Sequence, residues 1–348
     1  MLIVFIIIGL SLIILVHEAG HFFVAKAFGV RVDEFGLGFP PRLYSRRYGE
    51  TEYSINALPF GGFVRIHGEQ GRKEGLEEYD RSFIAQPAWK RALMLVSGVF
   101  MNMILGWILL TSVFMVGSPK HLLVSDVQPN SPAAAAGAFS GDIVMSVQFG
   151  ERLLRDPIAS DAFIELAHEA QGKEMALTLE RHGERKDIML IARENPPAGE
   201  GPLGVVLEDI GFDAQPILQS IGSGFRATIE TLWAVAVGLG HFISRLFVEP
   251  SVIQTVSGPV GIVNLAFQAG LLGAAYVVQL MALISLNLAV LNLIPFPALD
   301  GGRVLLLLIE KLKGSPLPRK FEMIANATGF VVLIVLMVIV TIQDIGRL

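Results

Sequence analysis

The chain has 348 residues, of which 52% are hydrophobic and only 17% are charged. Soluble globular proteins carry about 25% charged residues, so this composition, together with several long apolar runs, predicts a polytopic membrane protein. Cysteine is absent, which excludes disulfides and any cysteine-based metal site. The net charge of −5 is spread along the chain without a basic block, so no nucleic-acid partner is expected.

Residues 1–28 are predicted to form a retained first transmembrane helix. The alternative is a signal peptide, since Ala25-Lys26-Ala27 resembles a small-residue cleavage site. However, the segment has no basic start, and the apolar run continues to Phe28. Cleavage after residue 27 would also remove the most distinctive motif of the chain.

That motif is His17-Glu18-Ala19-Gly20-His21. On a helix, His17 and His21 share one face, so both imidazoles can reach one metal ion, and Glu18 can address a water at that ion. Such a cluster is costly in hydrocarbon and therefore indicates function. A chance match is the alternative, and a metal site needs a third ligand from elsewhere in the chain.

Residues 29–90 are predicted to form a membrane-associated β-hairpin region followed by a cytoplasmic-side loop. Alternating side chains, aromatics and Gly/Pro punctuation between residues 35 and 66 favour hairpins, with an ordinary interfacial loop as the alternative. An open strand edge there could receive an extended peptide. The second span follows at 91–117. Its conspicuous polar residue is Asn102, for which helix–helix hydrogen bonding is the usual role and a place near the site the less usual one.

The composition turns soluble at 118–209, where short β-like runs and one helical stretch predict a single small α/β domain. Residues 210–275 are predicted to hold interfacial amphipathic helices. The stretch 227–247 is apolar but carries charged residues, so an amphipathic helix in the membrane interface is preferred, and a fifth span is the alternative.

The third span, 276–302, is interrupted by Pro295 and Pro297, which cannot be accommodated in a regular helix. The break places Asp300 on a constrained turn at membrane depth, where a carboxylate is costly. Asp300 is therefore the best candidate for the third ligand, although it could instead cap a helix that starts near Gly301. Other carboxylates, such as Glu310, belong to polar boundary stretches. Residues 303–348 hold a cytoplasmic loop and the fourth span.

Basic residues near helix ends predict the orientation. They cluster between spans one and two and again between spans three and four: Lys26, Arg31, Arg42, Arg46, Arg47, Lys90, Arg91, Arg303, Lys311, Lys313, Arg319 and Lys320. Both loops are therefore expected in the cytoplasm. The soluble domain and both termini are then expected outside, which is consistent with four spans.

A catalytic zinc has three protein ligands and one open position, so His17, His21 and Asp300 are predicted to hold one zinc ion per chain. Zinc lowers the pKa of its water to about 7 and polarises a carbonyl. Glu18 would take the proton of that water and return it to the leaving amine. Asn292 could donate to the developing oxyanion, although helix packing would explain it equally well.

The stretches H-E-A-G-H at 17–21 and N-L-I-P-F-P-A-L-D-G at 292–301 resemble the site-2 protease family of intramembrane zinc metalloproteases, and the bacterial regulator-of-sigma-E protease group in particular. The resemblance implies the same ligands and base, a substrate-handling role for Asn292, and a loop shaped by Pro295 and Pro297. It also implies that 118–209 is a PDZ-like domain in which 201–205 is the peptide-binding strand. The second span departs from the family, because Gly98-Val99 stands where Gly-Pro often precedes the asparagine that corresponds to Asn102.

The resemblance implies a protease of the bacterial plasma membrane that cuts the transmembrane segment of a single-pass protein, such as a pre-trimmed anti-sigma factor. The PDZ-like domain would exclude bulky substrates or bind a freshly exposed peptide C-terminus. The alternative is a catalytically silent membrane scaffold or chaperone that only binds substrate helices. A metal transporter would need more polar residues along a path through the membrane.

Overall fold

A computed structural model describes residues 2–69, 78–181, 183–246, 248–249, 252, 256–315 and 317–346. The chain divides into two compact units. Unit 1 comprises Met1–Ser112, Leu218–Ala269 and Val277–Leu348, and unit 2 comprises Val113–Ile217 and Gly270–Tyr276. The expected loop at 70–77 and the end of the expected helix at residue 247 lie outside the described residues.

Apolar helices make up most of unit 1, as the composition predicts. They are α1 (Leu2–Ala27), α2 (Ala88–Val116), α5 (Ile217–Leu246), α6 (Pro259–Leu272), α7 (Ala274–Leu293), α8 (Asp300–Lys313) and α9 (Arg319–Ile345). Within the described residues, α1, α2, α5, α7 and α9 are long and apolar enough to cross a membrane. Helix α6 has 14 residues and would span about 21 Å at 1.5 Å per residue, which is too short to cross alone.

Helix α5 differs from the expectation for 227–247, because it has 30 residues and begins ten positions earlier. The polar, glycine-containing stretch after residue 217 conceals this helical start in the sequence. It forms a helix because it packs on α2, where a Cβ at Gly224 would lie 2.3 Å from the Thr111 hydroxyl oxygen. By length and composition α5 therefore counts as a fifth candidate span.

The β-sheet region of unit 1 follows α1 directly and consists of β1 (Val32–Tyr48) and β2 (Thr51–Ile66). Each of the two long strands contributes two runs to the sheet. Phe35 pairs with both Val64 and Tyr53, and Tyr53 also pairs with Arg46. The result is four adjacent runs in the order 58–66, 32–39, 51–57 and 42–48. The run 58–66 lies against α1, and the run 42–48 forms the opposite edge.

Unit 2 contains a six-stranded antiparallel sheet with strand order β7-β6-β4-β3-β8, and β5 also pairs with β4. Its elements are β3 (Ser118–Val127), α3 (Pro132–Ala136), β4 (Ile143–Phe149), β5 (Arg152–Arg155), α4 (Ser160–Glu169), β6 (Glu174–Arg181), β7 (Glu184–Ile191) and β8 (Val205–Phe212). Buried side chains from sheet and helices form one apolar core around Phe163, Leu122 and Leu179. Strand β8 begins only at Val205, so residues 201–204 precede the strand rather than form it.

Candidate metal centre

The three predicted ligands converge at one point in unit 1. The Nε2 atom of His17 lies 3.0 Å from Oδ2 of Asp300, and the Nε2 atom of His21 lies 3.5 Å from the same oxygen. The two Nε2 atoms are 3.3 Å apart. Neighbouring ligand atoms of a tetrahedral zinc, with bonds of about 2.0–2.2 Å, stand about 3.3–3.6 Å apart. Two of the three distances lie within this range and the third, at 3.0 Å, lies just below it, so a small movement of the side chains would bring them to the spacing of a shared zinc ion.

The backbone of α2 fixes the orientation of His21. Its Nδ1 atom lies 2.7 Å from the carbonyl oxygen of Met94 and donates to it. With the proton on Nδ1, the Nε2 atom carries a free lone pair directed at His17 and Asp300. This is the hydrogen bond to the outer ring nitrogen that metal-binding histidines usually make.

Asn102 lies where it could orient His17 in the same way. Its side-chain amide lies 3.3 Å from Nδ1 of His17, while its own Oδ1 is buried without a hydrogen-bond partner among the described residues. Rotating the amide by 180° exchanges its oxygen and nitrogen atoms. Oδ1 of Asn102 then accepts the Nδ1 proton of His17 and leaves Nε2 free for a metal. The orphaned oxygen thus fits a ligand role for His17.

Glycine at position 98 leaves the space in which the two imidazoles meet. A Cβ added to Gly98 would lie 2.5 Å from Nε2 of His21 and 2.8 Å from Nε2 of His17. Sequence reasoning noted Gly98 only because proline does not follow it. No pattern along the chain reveals this steric role, because the contact joins two different helices.

Glu18 lies beside the ligands and is held by the sheet. The backbone N–H of Val64 donates to Oε2 of Glu18 over 3.0 Å. Glu18, His21 and Asp300 line one cavity of about 230 Å³, together with apolar residues such as Phe63 and Met94. The Glu18 carboxylate and two of the candidate ligands therefore share one cavity that is large enough for several waters.

The turn between α7 and α8 presents Asp300. Pro295 and Pro297 lie in this turn, and neither is among the residues that line the cavity. Helix α8 begins at Asp300, its N-cap is Leu299, and no side chain caps it. The alternative in which Asp300 caps the helix is therefore wrong, because its carboxylate contacts His17 and His21. Asn292, at the end of α7, has its amide 3.4 Å from Nε2 of His17.

Close backbone contacts hold this turn in place. A Cβ on Gly301 would lie 2.3 Å from the carbonyl oxygen of Leu293, so only glycine fits there. The N–H of Ala298, which has a positive φ of 76°, donates to the side chain of Asn326 on α9 over 3.2 Å. Asn326 lies far along the chain, and sequence reasoning did not identify it.

Sequence reasoning also did not identify an ion pair at the rim of the cavity. Arg303, one turn after Asp300, pairs with Glu69 beyond the end of β2. Burial alone would lower the pKa of Arg303, but the carboxylates of Glu69 and Asp300 outweigh it and raise that pKa. The guanidinium therefore stays charged beside the cavity.

Known proteins resemble this chain over nearly its whole length. The model of peptidase family M50 matches residues 5–336. A Clostridium perfringens protein with a zinc metalloprotease name is 35% identical over 99% of this chain and 98% of its own. A Nostoc protein with the same kind of name is 32% identical over 97% of this chain and 94% of its own. The regulator of sigma-W protease RasP of Bacillus subtilis is 27% identical over 95% of each chain.

Proposed function

The chain belongs to peptidase family M50 and is a zinc metalloprotease of the membrane, and we propose that it cleaves single-pass membrane proteins within their transmembrane segments. The observation that carries this proposal is the convergence of His17, His21 and Asp300 at close to the spacing of zinc ligands. The class of substrate includes a membrane-bound anti-sigma factor that another protease has trimmed. The name of the Bacillus subtilis relative, a regulator of sigma-W protease, supports that class.

In this proposal His17, His21 and Asp300 hold the zinc ion. When bound, zinc supplies a Lewis acid that polarises a peptide carbonyl and makes water acidic. Glu18 takes the proton of the attacking water and delivers it to the leaving nitrogen. The hydrogen bond from Val64 keeps the carboxylate of Glu18 in the cavity. The amide of Asn292 stands beside the ligands and donates to the oxygen on which negative charge develops.

The substrate is held as an extended strand. A transmembrane helix hides its peptide bonds, so it must unwind before water can attack, and an unwound segment needs partners for its backbone in the membrane. The run 58–66 has an outer edge beside Glu18, because the N–H of Val64 points out of the sheet toward that carboxylate. Strand addition at this edge would satisfy one side of the substrate backbone.

The soluble part, 118–209, is proposed to be a PDZ-like domain that binds a freshly exposed C-terminus or rejects bulky substrates. Strand β8, which pairs only with β3 among the described strands, offers an edge that could receive a peptide. Deleting residues 118–209 should make untrimmed substrates cleavable. Unchanged resistance of untrimmed substrates would rule out the rejecting role.

We propose four crossings, by α1, α2, α7 and α9, with the loops at 29–90 and 303–318 in the cytoplasm. Gln215, just before α5, donates its N–H to the carbonyl of Phe114 at the end of α2. Tyr276, at the start of α7, donates its hydroxyl to the carbonyl of Pro119, just after α2. Helices α5 and α7 thus begin at the same end of α2, so the chain between them makes an even number of crossings. If α5 crossed the membrane, the chain would have to cross back before α7 begins. The only described helix between α5 and α7 is α6, which is too short to cross.

The test is co-expression with a panel of single-pass membrane proteins, comparing the native chain with the Glu18→Gln variant. We expect processing of at least one panel member by the native chain and none by the variant, with zinc retained in both. Equal processing by the two chains would point to a silent scaffold that only binds helices. The zinc content separates loss of the base from loss of the metal site.

A further inference from the structure

The edge of the sheet formed by residues 42–48 presents large side chains to its surroundings. Leu43 is 69% exposed, Tyr44 59% and Tyr48 81%. Within the described residues, this run pairs with 51–57 on one side and has no strand on its other side. An apolar and aromatic surface of this kind in a membrane protein is expected to have a partner.

The position of this edge relative to the membrane follows from contacts with α1. Glu50, in the turn after Tyr48, bonds to Lys26 over 2.6 Å, and Lys26 stands at the end of the first apolar helix. Tyr48 pairs with Thr51, and Tyr44 pairs with Ile55 further along. Tyr48 therefore lies level with the end of the apolar helix, and Tyr44 lies deeper, as an aromatic belt requires.

The arginines of this edge differ in how their charge is neutralised. Arg42 pairs with both Glu34 and Glu52, each over 2.7 Å. Arg46 and Arg47 are exposed, and neither has an ion-pair partner among the described residues. By register, Arg46 and Arg47 lie nearer to the turn at Glu50 than Arg42 does. Arg42, which lies deeper, is thus neutralised by carboxylates, whereas Arg46 and Arg47 at the membrane boundary have no such partner among the described residues.

We propose that residues 42–48 bind the anionic phospholipid surface, with Arg46 and Arg47 contacting headgroup phosphates. Successive residues of a strand point to opposite faces, so the two guanidiniums reach headgroups on either side of the edge. Guanidinium binds phosphate through two parallel hydrogen bonds. Leu43 and Tyr44 enter the outer acyl region. Lipid contact at this edge holds the sheet that contacts Glu18, and it does not depend on the proposed proteolysis.

The charges of Arg46 and Arg47 favour anionic lipid over two other occupants, a second copy of the chain and an apolar substrate segment. A second copy of the chain pairing edge to edge would bring Arg46 and Arg47 close to their counterparts, and like charges on paired strands repel. An apolar substrate segment would leave both guanidiniums without an acceptor in a poorly hydrated place. A layer of phosphates satisfies both arginines and accepts the aromatic side chains.

Hydrogen exchange of the full chain in vesicles tests the proposal. The native chain is reconstituted in phosphatidylcholine alone and in phosphatidylcholine mixed with phosphatidylglycerol. We expect exchange at 42–48 to slow about fivefold in the anionic vesicles, which corresponds to the gain of about 1 kcal/mol expected for one basic side chain at an anionic surface. High salt should reverse the slowing, and inorganic phosphate added to neutral vesicles should not reproduce it.

Two double variants test whether Arg46 and Arg47 cause the difference between the two kinds of vesicle. Arg46→Gln combined with Arg47→Gln should abolish the difference between the two vesicles, whereas Arg152→Gln combined with Arg185→Gln in unit 2 should preserve it. Equal exchange of the native chain in both vesicles would overturn the proposal, even if the variant did not fold. Slowing that follows protein concentration rather than lipid charge would assign the edge to a second copy and would also overturn it.

Discussion

At the scale of single residues, the candidate centre depends on a space that only glycine leaves. The Gly98→Ala variant places a Cβ against the Nε2 atoms of His17 and His21, so the imidazoles must move apart. We expect zinc affinity to fall by at least about tenfold, the lower range for changes next to metal ligands. Gly240→Ala on α5, where a Cβ meets nothing within 4 Å, is the matched control. Unchanged zinc binding in both variants would contradict the assigned ligands.

Asn102 allows a second test of the same centre. Replacing it by leucine leaves Nδ1 of His17 without an acceptor, and zinc affinity should fall about 10–100-fold. Asp at the same position keeps an acceptor and should restore most of the affinity. Asn287→Leu, at a half-buried asparagine of α7 whose amide donates to the backbone carbonyl of Leu283, serves as the control. Metal titration of the purified variants distinguishes these outcomes, and equal losses for Leu and Asp would refute the orienting role.

Sequence reasoning succeeded for residues whose chemistry is visible locally. His17 and His21 are four apart, and Asp300 stands out because a carboxylate follows a broken apolar helix. The structure brings these residues together as expected, although their roles as ligands stay a prediction. Gly98, Val64 and Asn326 could not be predicted, because their contacts join distant parts of the chain.

At the scale of elements, Glu50 joins the sheet to its neighbours. It accepts hydrogen bonds from Lys26 and Arg81, each over 2.6 Å. Both bonds hold the pKa of Glu50 below its usual value, and the bond from Lys26 has the larger effect. A lowered folded-state pKa stabilises the fold above the unfolded value of about 4.3 and ceases to do so as pH falls through the folded value.

We therefore expect the Glu50→Gln variant to unfold at a lower temperature than the native chain at pH 7. The difference should be small, no more than about 1 kcal/mol, because the ion pairs are partly exposed. It should shrink progressively once the pH is taken below about 4.3. Thermal unfolding in one detergent at several pH values measures it, and a difference that is constant with pH would contradict the assigned ion pairs.

The elements show where periodicity is informative. Long apolar helices and the β-sheet region are visible in the sequence because hydrophobic runs and alternation mark them. Strand β5 was missed because three of its four residues are exposed. Strand β8 was missed because Glu208, Asp209 and Gly211 interrupt its apolar residues. The first turns of α5 were missed because Gly222 and Gly224 are unfavourable in a helix on propensity alone, while packing on Thr111 favours Gly224.

At the scale of the whole molecule, the absence of cysteine makes topology directly testable. Single cysteines at Gly49, Gly199 and Gly240 can be labelled in intact cells with a membrane-impermeant thiol reagent. Four crossings and an interfacial α5 predict labelling at 199 and 240 and protection at 49. Labelling at 199 with protection at both 49 and 240 would instead show that α5 crosses the membrane.

The central claim is that one zinc centre hydrolyses a peptide bond inside a membrane segment. The most direct measurement is mass spectrometry of the products that the purified chain makes from a single-pass protein in vesicles. We expect two fragments whose new ends lie within the apolar segment. They should disappear on removal of zinc and in the Glu18→Gln variant, which still binds the metal. Ends that lie outside the apolar segment, or fragments that persist with Glu18→Gln, would contradict the account.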